Sequence, residues 1–139
     1  MASIRHEIVV FASQQHVWSI LSDIGAVHER LLPGRVVSTK LEGAERILTF
    51  CDGHAVRELI VTVDDEAYRL AYSVIDGARP SLEYHHASFD VRDEGENSRL
   101  IWTTDILPDS AAPGVRIRTE LGITEMKQTI EAAAPRRQR

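Results

Sequence analysis

The run Glu83-Tyr84-His85-His86 sets two imidazoles beside a phenol, and Arg46 and Glu58 flank the turn composition Asp52-Gly53. These residue types move protons, hold carboxylates or bind metals. Neutral imidazole titrates near physiological pH, so His85 is a candidate general base or hydrogen-bond partner for a polar ligand group. Glu58 is the second candidate acid/base, and Arg46 can grip a carboxylate or carbonyl. Tyr72, Tyr84 and Trp102 are apolar bodies with one polar tip, suited to core or to a pocket wall. Met126 adds a deformable apolar side chain.

Whether these groups meet depends on the elements that carry them. Residues 83–91 read as a strand, in which alternate side chains leave opposite faces. One face receives Glu83, His85, Ala87, Phe89 and Val91, and the other Tyr84, His86, Ser88 and Asp90. The first set is the more apolar, so His85 should point inward and His86 outward. Two histidines so placed cannot chelate one metal, and no metal is expected. The plainer reading of His85 is a strand histidine at a pocket rim with its nitrogens on water or backbone. A bulge in this strand would bring Tyr84 inward instead.

Arg46 and Glu58 depend on hairpin register. With a two-residue type I′ turn at Asp52-Gly53, Glu58 lies opposite Ile47 and Arg46 opposite Leu59. A three-residue loop that sets Arg46 opposite Ile60 puts both charges on one face, where they could pair inside a pocket. The alternative is two solvated charges on the outer face.

The rest of the chain supplies the frame. Ile4–Phe11 reads as a strand, Ser13 as an N-cap, and Val17, Ile20, Leu21 and Ile24 follow helical spacing. Asp23 is expected to cap a second short helix that stops at Pro33-Gly34. Six strands follow (Val36–Leu41, Arg46–Cys51, Ala55–Val63, Arg69–Ile75, Glu83–Val91 and Arg99–Ile106), divided by turn compositions. After Pro113-Gly114 the residues Val115, Thr119, Gly122, Ile123, Met126, Ile130 and Ala133 form one stripe, the mark of an amphipathic helix that Pro135 ends. Ile117 and Leu121 lie on its polar side, and could serve a protein partner or a homodimer.

The expected fold class is α+β. A curved antiparallel sheet of six to seven strands wraps around a long C-terminal helix, with two short helices after the first strand. Residues 1–139 are expected to form one domain, with 135–139 a frayed tail. A space between helix and concave sheet would make a cavity.

The 139 residues are 43% hydrophobic and 27% charged, ordinary for a globular chain. The net charge of −5 gives no footprint for nucleic acid. Cys51 is alone, which rules out an intrachain disulfide and a thiolate zinc site. No segment is apolar enough for a membrane span, and MASIRHEIVVF lacks a signal-peptide layout, so cytoplasmic location is expected. P-loop, H-E-x-x-H, G-x-S-x-G and dinucleotide motifs are absent, and no cofactor is expected.

The run Val17-Trp18-Ser19-Ile20-Leu21-Ser22-Asp23 resembles the opening of the SRPBCC superfamily, the START-like helix-grip proteins. Glu42-Gly43, Arg46 and Asp52-Gly53-His54-Ala55-Val56-Arg57-Glu58-Leu59 resemble the hairpin of its polyketide cyclase/dehydrase-like branch. Asp64-Asp65, Tyr72-Ser73-Val74, Pro80, Tyr84 and Trp102 continue that pattern in order. Where many relatives have a Trp-Pro pair, this chain has His28-Glu29-Arg30-Leu31-Leu32-Pro33. The resemblance implies an apolar pocket for a lipid, polyketide or similar small hydrophobic molecule. It implies carriage or sensing in some members and cyclase or dehydratase (aromatase-like) chemistry in others, here through His85 or Glu58. Others are protein-interaction modules. Arg46, Glu58, Tyr72, Tyr84, His85, Trp102 and Met126 are the expected ligand-binding set.

Overall fold

The computed structural model describes residues 1–135. The charged tail expected to fray falls, from Arg136 on, outside the described residues. Alternating β-branched residues form β1 (Ala2–Val10), and the helical stripe behind the Ser13 N-cap forms α1 (Gln14–Leu21). Ser13 Oγ accepts from the His16 amide at 3.1 Å, satisfying one of the free amides of the first turn. The second short helix is instead a five-residue π-type turn, Val27–Leu31. Asp23 does not cap it, because its carboxylate pairs with Arg30 at 3.0 Å and the N-cap position is Ala26. Val27 and Leu31 pack this turn into the core.

Six strands follow: β2 (Val36–Glu42), β3 (Glu45–Phe50), β4 (Ala55–Asp64), β5 (Arg69–Asp76), β6 (Tyr84–Glu94) and β7 (Asn97–Leu107). A short 3-10 turn, Asp109–Ala111, leads into α2 (Ala112–Ala132). Pro113 sits in the first turn of α2, where its missing amide costs no helical hydrogen bond.

The sheet is antiparallel with order β1-β7-β6-β5-β4-β3-β2. β1 and β2, neighbours in sequence, therefore occupy opposite edges, and α1 with the π-type turn crosses the open side between them. Three bulges bend the sheet, at Val37, Val61 and Ile75, where one strand spends an extra residue. All three bulged side chains are exposed.

The core lies between the concave face and the helices. Val10, Val17, Leu21, Leu70, Phe89, Leu100, Ile123, Met126 and Ile130 are buried there. The stripe on α2 ends at Ile130, since Ala133 lies past the helix end and is exposed. Ile117 and Leu121 are exposed on the outer side of α2. No helix is long and apolar enough to cross a membrane among the described residues.

Candidate functional site

The β3–β4 hairpin closes through the three-residue loop Cys51-Asp52-Gly53. The Phe50 amide donates to the His54 carbonyl at 2.7 Å, and Gly53 takes φ +89°. Only Gly53 is left-handed, so the type I′ turn does not form. Neither expected register occurs: Arg46 lies directly opposite Glu58. A cross-strand pair shares a face, and both residues point into the concave side. Each is 5% exposed.

Nε and Nη2 of Arg46 both lie 2.8 Å from Oε1 of Glu58, and Nη1 donates to the Ile24 carbonyl at 3.3 Å. The ion pair is thus tied to the loop that follows α1. Burial raises the Glu58 carboxyl above the ordinary range, against the pull of Arg46. The Arg46 guanidinium also lies over the Tyr72 ring, 5.8 Å from its centroid.

β6 carries no bulge along its pairing with β7, so the alternation holds. His85 turns to the concave side, whereas Tyr84 turns away and is 44% exposed. Tyr84 lies outside the cavity. The β5–β6 ladder ends at Tyr72 opposite Ala87, and beyond it the strands splay. His85 fills that gap. Its Nδ1 accepts a 2.9 Å hydrogen bond from the Val74 amide, and its carbonyl accepts from Ser73 Oγ. A neutral imidazole that accepts at Nδ1 carries its proton on Nε2. Burial, helped by the neighbouring His86, lowers the ring pKa to about 4. The ring is neutral at physiological pH, with its donor nitrogen free of the strand.

Between sheet and helix lies a cavity of about 430 Å³, in the range of small-molecule sites. Its walls are mostly apolar, including Val27, Leu48, Val56, Val74, Phe89 and Met126. Phe89 stacks between Tyr72 and Trp102, with ring centroids 6.1 Å and 4.8 Å away. Trp102 Nε1 donates to the Tyr72 hydroxyl at 3.2 Å. Burial, then the charge of Glu58, raises the Tyr72 pKa, so the phenol stays protonated. Gly122 admits the indole: a Cβ there would stand 3.3 Å from Trp102 Cζ3.

The cavity thus gathers Arg46, Glu58, Tyr72, His85, Trp102 and Met126. It also includes four basic side chains outside the expected ligand-binding set: Arg35, His54, Arg79 and Arg118. His54 was within reach of the alternation, two places before Val56 and four before Glu58. Its Nε2 is buried and has no hydrogen-bond partner among the described residues. Arg79 and Arg118 come from a loop and a helix flank, and no sequence spacing relates them.

Along α2 the lining runs from Val115 to Met126, roughly 16 Å at 1.5 Å per residue. At the Met126 end, Arg35 meets Glu125 in a two-pronged ion pair, 2.6 and 2.7 Å long, that bridges β2's leading loop to the helix. At the other end Leu82 and Val115 share one apolar cluster. Exposed Asp52, Arg79 and Arg118 in the lining show that the cavity reaches the surface. Among the described residues no group of three or more His, Cys, Asp or Glu side chains could hold a metal ion. Chemically, this is an apolar chamber with one buried ion pair and neutral donors at its wall.

A family model described as polyketide cyclase/dehydrase and lipid transport matches residues 1–136. No curated protein matches the chain. Among solved structures, an uncharacterized protein from Bacillus thuringiensis aligns with TM-score 0.82 at 20% identity, covering 93% of this chain and 98% of that one. Norcoclaurine synthase from Thalictrum flavum aligns at TM-score 0.74 and 23% identity, covering 94% and 84%. The di-domain ARO/CYC BexL from the BE-7585A biosynthetic pathway aligns at TM-score 0.81 and 14% identity, covering 94% of this chain and 47% of that one. At such identities the likeness is one of fold, the helix-grip arrangement of an antiparallel sheet around a long C-terminal helix.

Proposed function

Because this chain belongs to the polyketide cyclase/dehydrase and lipid transport family, we propose that its cavity binds a small, mainly apolar organic molecule. The observation that carries this reading is the roughly 430 Å³ apolar chamber between the concave sheet and α2. Burial of ligand surface supplies affinity at about 25 cal/mol per Å². Arg46 and Glu58 make a fixed polar wall, while His85 offers Nε2–H to an acceptor on the ligand. Tyr72 and Trp102 present aromatic faces. Native mass spectrometry of the purified protein should detect a co-purified apolar molecule. Repeated recovery of ligand-free protein that also fails to take up apolar probes would sink this reading.

A second reading, a cyclase or dehydratase, is favoured by one observation: a carboxyl group whose pKa burial has raised, in the wall of the chamber at Glu58. A carboxyl so tuned can protonate a leaving hydroxyl or take a proton beside a carbonyl. In this reading the Glu58→Gln protein retains substrate. A dehydratase would then show a co-purified mass one water heavier than that held by the native protein. Identical masses in both would leave binding without turnover.

A further inference from the structure

Four arginines line the cavity, and they divide into two kinds. Arg46 is neutralised by Glu58 and Arg35 by Glu125. Arg79 and Arg118 have no hydrogen-bond or ion-pair partner among the described residues. Both are exposed, and both line the cavity where it reaches the surface. The segments that carry them meet at one apolar cluster: Leu82, three residues after Arg79, packs against the cluster that includes Val115, three residues before Arg118. Arg118 lies one turn from Val115 and beside Thr119, on the border of the buried stripe. The lining holds two carboxylates, Glu58 and Asp52, and neither forms an ion pair with Arg79 or Arg118. Glu58 is engaged by Arg46, and Asp52 lies at the hairpin loop, where its Oδ1 accepts from the His54 amide at 2.9 Å. His85 adds a neutral donor, because its acceptor nitrogen is already taken by Val74.

An apolar chamber whose mouth carries two unneutralised guanidinium groups suits a molecule that is apolar along its body and anionic at one end. We infer that the ligand is an apolar molecule bearing a carboxylate or phosphate, and that Arg79 and Arg118 hold this group at the mouth. The inference rests on the ligand-binding reading above and narrows its chemical class. Guanidinium is planar and always charged, so it recognises either oxyanion through paired N–H donors. The pair also selects orientation: the apolar body enters the chamber while the anion stays at the rim, where hydration is lost only in part. A neutral molecule of equal length gains the burial but leaves both guanidinium groups without a counter-charge.

Isothermal titration with decanoate, decyl phosphate and decanol on the full chain tests this. Decanoate or decyl phosphate should bind at least about tenfold more tightly than decanol at low salt, with the gap closing as salt rises. A preference for decanoate assigns a carboxylate head, and one for decyl phosphate a phosphate head. The double variant Arg79→Gln/Arg118→Gln should erase the gap while leaving decanol affinity within about twofold, and Arg118→Glu should reject both anions. Both positions are exposed, and circular dichroism of each variant checks the fold. Equal affinity for charged and neutral probes overturns the anion site alone. Failure of all three probes to bind overturns it together with the cavity reading.

Discussion

The side chain of His85 stands in for a missing strand partner of Val74. Its Nδ1 accepts the Val74 amide at 2.9 Å, where the β5–β6 ladder has already ended. An imidazole held this way must be neutral at Nδ1, and folding therefore opposes its protonation. The folded pKa of about 4 lies below the ordinary 6.5. Between those values the unfolded chain binds more protons, so stability is fully present above pH 6.5 and is lost as pH falls toward 4. The loss amounts to up to about 3 kcal/mol. Urea unfolding at pH 7.5 and 4.5 should show it, and His85→Asn, which keeps an acceptor but cannot titrate, should lose less over the same interval. Equal losses in the two proteins would assign the pH dependence elsewhere.

Arg46 and Glu58 form the costliest contact to break in half. Arg46→Met leaves a buried carboxylate without its counter-charge and should destabilise by about 3 to 5 kcal/mol. The double variant Arg46→Met/Glu58→Leu removes both charges and should recover most of that loss. Denaturant midpoints of the single and double variants decide it. A double variant as unstable as the single one would mean that packing around Ile24, rather than the orphaned charge, sets the cost.

Gly122 controls the volume left for a ligand. Because even a Cβ would stand 3.3 Å from Trp102 Cζ3, Gly122→Leu must displace the indole or fill the chamber. Affinity for decanol should fall roughly tenfold or more, while the helix, relieved of a glycine, still forms. Titration and circular dichroism on the same sample separate the two effects. Unchanged binding would place the ligand away from this wall.

The two tryptophans report different places. Trp102 lines the cavity, whereas Trp18 is tied to Asp65 Oδ1 at 2.9 Å on the far side of the core. Occupancy should therefore change the emission of Trp102 and leave Trp18 unaffected. In Trp18→Phe protein the response to probe should persist, and in Trp102→Phe protein it should vanish. The reverse pattern would move the binding site to the α1 side.

The strands, the Ser13 cap and the stripe on α2 were legible because each is a local pattern with its own period. The faces were legible too: alternation alone sends His85 inward and Tyr84 outward once β6 pairs with β7 without a bulge. The hairpin register was not, because Asp52-Gly53 fits loops of different length and only the pairing of Phe50 with His54 chooses among them. The bulges at Val37, Val61 and Ile75 left no mark in the sequence, since an extra β-branched residue looks like any other strand residue. Asp23 misled for a similar reason. A carboxylate ahead of a turn can cap it or pair across it, and Arg30 decides that from seven residues away. The mouth of the cavity was the least legible part. Arg79, Arg118 and Leu82 come together only through the docking of a loop on a helix.

The pairing of β1 with β7 has a consequence for how the chain assembles. It joins Ala2 to Ile106 and Val10 to Ser98, while β2 through β6 each pair with the strand that follows in sequence. Closing so long a loop costs entropy that the neighbouring hairpins do not face. The meander from β2 to β7 is therefore expected to form first, with β1 arriving late and locked by α2 through Lys127 on the Val9 carbonyl and Glu131 on the Phe11 amide. One wall of the chamber is α2, which docks on β1, so a ligand that needs that wall binds only after the long C-terminal helix is in place.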